Sequence, residues 1–302
     1  MEKCLLLYNP KSGKGKVARK EKYIVQRLSE KYEVSVCQSS FAGHITQIIL
    51  EKGNDYEVIV LAGGDGTISE GINGIKQLGK DVKVGLIPTG TVNDIAHSLK
   101  IPSTIKGAVK NILNGKEFKH DVLKINDRYG LYVCCAGLFT DTSYATTQDS
   151  KKKMGKIAYG IYGLKKIFSS KALDMKMQYE NGEISGKFAL MMILNSRYVA
   201  GLKFNTKALL NDGLADVILV ESDSDKIKFE TVLKVAFLYL HGLKPKKKYK
   251  NKISHFQTGK FKIEIGSCTS INLDGEKACD GTIEGEVIKE GITIIVPNKN
   301  RL

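Results

Sequence analysis

A chain of 302 residues, 42% hydrophobic and 26% charged, is long for one core and suits two domains, each able to bury its own interior. No run of eighteen apolar residues is present, and the start, MEKCLLLYNP, has too short an apolar segment for a signal peptide. A helical membrane protein is therefore excluded, and the cytoplasm is the expected location. The formal charge of +15 calls for a polyanionic partner, whether nucleic acid, a phosphorylated substrate or the anionic face of a membrane, without choosing among them.

The first 120 residues alternate between strand and helix patterns. CLLLYNP reads as a short apolar strand, and KVARKEKYIVQRLSEKY follows with Val17, Tyr23, Ile24 and Leu28 at helical spacing. EVSVCQSS and HITQIILEKG repeat the pair. YEVIVLAGG is continuous enough in Val, Ile and Leu to be buried on both faces, as parallel strands are. ISEGINGIKQL, VKVGLIPTG, TVNDIAHSLKI and TIKGAVKNILNG continue the series, and this succession implies an α/β layer fold.

Near residue 120 the texture changes to strand-like pieces joined by turn signals such as Glu-Asn-Gly and Asn-Asp-Gly, from KHDVLKIN to GEVIKEGITIIVPN. Only KMGKIAYGIYGLKKIF and DKIKFETVLKVAFLYLHGL look helical there, so the second domain is expected to be mainly antiparallel β. Cys4, Cys37, Cys134, Cys135, Cys268 and Cys279 lack the spacing of a zinc site and read as reduced small hydrophobes. Positive charge gathers at Lys151, Lys152, Lys153, Lys156, Lys165 and Lys166, and again at Lys244, Lys246, Lys247, Lys248, Lys250 and Lys252. Each cluster is either a solvated loop or an anchor for an anionic surface. Nucleic acid is disfavoured, since the chain has no Trp and its lysines are not interleaved with stacking aromatics.

Ligands of open α/β sheets bind at the carboxyl ends of strands. Four loops are expected there, NPKSGKGK, SSFAGH, GGDGT and PTGTVND, all rich in Gly, Ser, Thr, Asn or Asp. Neither the P-loop pattern nor GxGxxG is present. What remains is a phosphate site of another design, with glycine-loop amides and a helix N-terminus facing the anion and hydroxyls of Ser12, Thr67 and Thr91 adding bonds. Asp65 would repel phosphate unless a cation such as Mg²⁺ stood between them. The bland alternative makes it a helix cap, but Thr67 with Glu70 three residues on forms the better capping box.

NPKSG, GGDGT and the Gly-Thr-Val-Asn-Asp of residues 90–94 together resemble the diacylglycerol kinase catalytic family, which includes bacterial soluble lipid kinases and sphingosine kinases. The likeness continues through Asp121, LLNDGLADVILV and LDGE at 273–276. It implies an NAD-kinase-like, Rossmann-type α/β domain over residues 1–120 and a β-sandwich domain over 121–302, whose last few residues return to the first. The active site is then expected in the cleft between them.

By position, it also implies that Asn9, Pro10, Lys11, Ser12 and Gly13 form the first nucleotide loop, with Ser39, Gly43 and His44 in the second. Gly63, Gly64, Asp65, Gly66, Thr67, Ile68 and Ser69 form the central loop, and Thr91, Asn93 and Asp94 the last. Ser39 and Ser69 depart from the usual Thr and Asn, while Glu70 and Asn73 remain.

Glu276 becomes the base that takes the lipid hydroxyl's proton, with Asp274 beside it, although NLDGE alone also reads as a plain turn. Asp212 with the carbonyls of Leu209 and Leu214 becomes a structural Mg²⁺ site, where an Asn-Asp-Gly turn without metal is the alternative. Asp121 is either part of a water network joining that ion to one at Asp65, or a satisfied interdomain aspartate. The activity so implied is ATP-dependent phosphorylation of a membrane lipid, diacylglycerol first. Kinases of a sphingoid base or another acceptor stand next, and the partners are the inner membrane face and possible second copies of the chain.

Overall fold

The computed structural model describes residues 1–138, 171–243, 252–266 and 270–298. The first half follows the alternation read above: β1 Glu2–Tyr8, α1 Lys16–Leu28, β2 Tyr32–Gln38, α2 His44–Lys52, β3 Val58–Gly63, α3 Asp65–Leu78, β4 Lys83–Pro88, α4 Asp94–Ser98 and α5 Ile105–Asn114. The four strands pair in parallel in the order β4-β3-β1-β2.

Their side chains divide strictly by parity, because successive residues of a strand point to opposite faces. Leu5, Leu7, Ile59 and Leu61 pack with Ile45, Ile49, Ile68 and Ile72 of α2 and α3. Cys4, Leu6, Val58 and Val60 pack with Val17, Ile24, Ala108 and Ile112 of α1 and α5. A strand covered on both faces has no room for a polar position, which is why β3 is apolar throughout and buried at all six residues.

The second half comprises β5 Lys116–Ile125, β6 Arg128–Gly130, β7 Val133–Gly137, β8 Leu173–Tyr179, β9 Gly182–Leu194, β10 Tyr198–Val199, β11 Leu202–Lys203 and β12 Ala215–Glu221. It ends with α6 Phe229–His241, β13 Ile253–Thr258, β14 Lys260–Ile265, β15 Ser270–Leu273, β16 Glu276–Asp280 and β17 Ile283–Val296. Its pairings are antiparallel, and β9 is long enough to pair with β8 over one half and with β7 and β12 over the other. Met175, Met177, Met191, Ile193, Val217, Leu219 and Ile263 form a core of their own.

Strand β17 joins the two regions. It runs antiparallel to β14 and β5, then pairs in parallel with β4 at Thr293 and Ile294. The mixed sheet is therefore continuous from β16 to β2. Among the described residues no helix is long and apolar enough to cross a membrane. The described cysteines, Cys4, Cys37, Cys134, Cys135 and Cys279, are all unpaired thiols. The helix expected over KMGKIAYGIYGLKKIF lies outside the described residues, as do all the clustered lysines except Lys252, which pairs with Asp223.

The expected capping box does not form. Helix α3 begins three residues earlier than the pattern suggested, with Gly64 as its unassisted cap and Asp65 in its first turn. Thr67 is thereby inside the helix, and its side chain packs beside Gly63. The Glu70 carboxylate instead accepts from Ile45 N at 2.7 Å, satisfying a free amide at the start of α2.

Candidate active site

The loops after β1, β3 and β4 meet because their strands are neighbours. Asn9 shapes the first: its side chain accepts from Lys11 N at 2.9 Å and its carbonyl from Ser12 N at 3.0 Å. Gly13 follows with φ +56°, and a Cβ there would fall 2.5 Å from the Thr89 carbonyl oxygen, so no other residue fits. Gly64 N donates to Ser12 Oγ at 3.3 Å, tying the first loop to the third.

Asp65 lies where that loop meets the start of α4. Its Oδ2 accepts from Asn93 N at 2.7 Å, and its Oδ1 is buried with no hydrogen-bond partner. Burial raises its carboxyl above the ordinary value, against the pull of the α4 amides. Asn93 is held left-handed, φ +57°, by bracketing Gly90: Gly90 N donates to Asn93 Oδ1 at 2.9 Å, and Asn93 Nδ2 to Gly90 O at 3.0 Å.

Asp94 reaches into the second half instead. Its carboxylate accepts from Ala200 N at 2.6 Å and Gly201 N at 2.8 Å in the β10–β11 turn, and Ser98 Oγ meets Ser196 Oγ at 2.7 Å beside it.

Glu276 enters from the other wall. The turn before it is fixed by Asp274, whose buried carboxylate accepts from Leu131 N at 2.6 Å and from Tyr132 N and Val133 N at 3.0 Å each. Burial pushes the Asp274 carboxyl up to about 6 despite those amides. Asp274 thus positions the turn, and its oxygens are already taken.

Glu276 faces Gly66 in the first turn of α3, where an added Cβ would fall 3.3 Å from Glu276 Oε1. Although its side chain is open to solvent on one side, surrounding protein and the nearby charge of Glu70 raise its carboxyl, with Arg128 pulling the other way.

Two adjoining cavities of about 490 and 400 Å³ share Ala42, Glu70 and Glu276. The first is lined by Asn9, Pro10, Lys11, Ser39, Phe41, Gly66 and Thr67, the second by Gly43, Ser69, Asn73, Arg128 and Tyr129. His44 closes the second loop by accepting from Ser40 N through Nδ1 at 3.0 Å. Among the described residues no three His, Cys, Asp or Glu side chains converge on one point. A cation at Asp65 fits the orphaned Oδ1 only if water and a ligand's own oxygens complete its shell, which is how Mg²⁺ is commonly held.

Several of the residues named from the sequence do not line these two cavities, Asp121 and the separate Asp212 turn among them. Ile68 is wholly buried among the core side chains, and its amide donates to Gly64 O at 3.1 Å. Thr91 lines a different cavity. Asp121 does not bond to Asp65: its two oxygens accept from Gly213 N and Glu290 N, both at 2.7 Å, and its charged neighbours are Asp212 and Lys289. Asp212 accepts from Leu214 N at 3.0 Å, and Leu209 is exposed.

Sequence reasoning missed Arg128, whose Nη1 donates to Lys277 O at 2.9 Å beside Glu276, and Tyr132, buried among the charges of Asp274, Asp65 and Asp94. Only a turn signal at Asn-Asp-Arg marked the first, and nothing marked the second.

A diacylglycerol kinase of Staphylococcus haemolyticus is 34% identical over 283 residues, covering 91% of this chain and 83% of its own. The chain belongs to the diacylglycerol kinase family. The diacylglycerol kinase catalytic domain matches residues 3–125 of this kinase. A diacylglycerol kinase of Staphylococcus saprophyticus is 29% identical over 302 residues, with 98% and 96% of the two chains covered. A solved diacylglycerol kinase structure from Bacillus anthracis, 26% identical, superimposes on the kinase with a TM-score of 0.78 over 98% of this chain and 97% of that one.

Proposed function

We propose that this kinase transfers the γ-phosphate of ATP to the hydroxyl of a membrane diacylglycerol, giving phosphatidic acid. The observation that carries the reading is the opposition of Glu276 and the first turn of α3 across one cavity, with the unpartnered oxygen of Asp65 at the base of that turn. Asn9, Lys11, Ser12 and the amides of Gly66 and Thr67 would receive the nucleotide phosphates. Asp65 would hold Mg²⁺, which when bound neutralises charge on the phosphates.

Phosphoryl transfer asks the protein chiefly for alignment and charge stabilisation. Glu276 supplies what remains. Its carboxylate accepts the hydroxyl proton as the alcohol oxygen bonds to the γ-phosphorus, and the bond to the β-bridging oxygen breaks to release ADP. Asp274 keeps that carboxylate in register by holding the turn. The net charge of +15 draws the chain to an anionic bilayer, each Lys near the surface contributing roughly 1 kcal/mol.

The test is ATP turnover on diacylglycerol, a sphingoid base and phosphatidylglycerol presented in anionic vesicles, at low and high salt. Diacylglycerol is expected to be the preferred acceptor, with turnover falling as salt rises and lost in Asp65→Ala and Glu276→Ala. Full activity in either variant removes this mechanism.

A further inference from the structure

The second loop, SSFAGH, joins β2 to α2 and closes on itself. His44 N donates to Phe41 O at 3.3 Å, and Ser40 N donates to His44 Nδ1 at 3.0 Å. Gly43 makes the reversal possible with φ +89°, a conformation that residues with a Cβ rarely adopt. The rings of Phe41 and His44 are thereby laid one on the other, with centroids 4.6 Å apart and planes 9° from parallel.

Phe41 belongs to none of the three hydrophobic cores and is 59% exposed. A single exposed apolar residue means little on its own. This ring, however, lines the cavity that Asn9, Lys11, Gly66, Thr67 and Glu276 also line. His44 supports it from one side, and the bond at Nδ1 fixes the plane of that support. A flat aromatic surface held in this way suits a planar partner, for which offset stacking is favourable. The rest of the lining, from Gln38, Ser39, Ser40 and Glu70, is polar. Such groups can pair with the edges of a heteroaromatic base and would be left unpaired against an acyl chain.

The geometry points to Phe41 as the stacking platform for the base of the nucleotide. The first loop and the first turn of α3 would meet the phosphates, and the ring on the second loop the base. This assignment deepens the kinase reading and rests on it. Every base has a π face, so the platform adds affinity without choosing among bases, and ATP and GTP gain alike from it.

The test uses the full chain with Mg²⁺ and compares ATP with tripolyphosphate, which offers phosphates and no base. By calorimetry, Phe41→Ala is expected to weaken ATP on the order of tenfold, to weaken GTP by the same factor, and to leave tripolyphosphate unchanged. The chain has no tryptophan, so Phe41→Trp places a single fluorescent reporter at the platform. ATP should quench its emission, and tripolyphosphate should not.

ATP affinity untouched by Phe41→Ala, equal weakening of both probes, or a reporter that responds alike to both overturns the platform and leaves the kinase reading standing. An effect confined to the KM for diacylglycerol does the same, since it moves the ring to the acceptor. A parent chain that binds neither probe overturns both.

Discussion

Asp65 is held in an environment that disfavours its charge, with one oxygen satisfied by Asn93 N and the other by nothing. Its folded carboxyl is raised above the unfolded value, so it binds protons more readily when folded, and its contribution to stability falls as pH rises through that folded value. In metal-free protein at neutral pH, Asp65→Asn is therefore expected to melt no lower than the parent and to lose the stabilisation that Mg²⁺ with ATP gives. Paired melting curves with and without Mg·ATP check both.

Glu276 is raised for a related reason, burial first and Glu70 second. The proposed reaction needs its ionised form, so kcat/KM should fall toward acid along a limb lying above the 4.5 of an ordinary glutamate. Removing the neighbouring charge by Glu70→Gln keeps an acceptor for Ile45 N and should move that limb to lower pH. A pH profile whose acid limb stays in place would exclude Glu276 as the titrating base.

At the scale of elements, α4 is the short piece on which the cleft turns. Five residues long, it offers an amide to Asp65 from its preceding turn and sends Asp94 into the β10–β11 hairpin. Asp94→Ala would strand two amides, and after allowing for the desolvation of Asp94 itself the expected loss is about 2 kcal/mol by denaturant titration. Asp94→Asn should recover part of it.

The alternation of the parallel strands was legible because burial on both faces leaves an unbroken apolar run, and the glycine loops because close backbone approach excludes side chains. Asp65, Gly13 and Glu276 followed from such local chemistry or from likeness. Asp94 and Asp121 were named from likeness, but their partners were not legible, since these are backbone amides distant in sequence and amides carry no residue signature. Arg128 and Tyr132 were hidden for the same reason. The early start of α3 escaped because a glycine cap leaves no side-chain mark.

For the molecule as a whole, the two halves share β17. Ile283, Ile292, Ile294, Ile295 and Val296 are buried along it, and at about 1.5–3 kcal/mol per apolar side chain their loss, roughly 8–15 kcal/mol, matches the entire net stability of a typical protein. A chain ended after residue 282 is expected not to fold in either half. Limited proteolysis and circular dichroism on that truncation test this; a protease-resistant fragment of about residues 1–120 would show the first half to be self-sufficient. The walls of the cleft are thereby joined through a continuous strand and by the Lys76 Nζ bond to Gly291 O at 2.7 Å.

Synthesis proceeds from the amino terminus, so β17, which meets the first sheet at β4, leaves the ribosome long after that sheet's own strands. Until it arrives, the outer edge of β4 is bare at Lys83 and Val84, where Thr293 and Ile294 will pair, and β5 lacks its principal partner. The nascent chain carries an adhesive, unfinished sheet until β17 emerges, and the two halves that bring Glu276 to Gly66 of α3 stay unjoined until then.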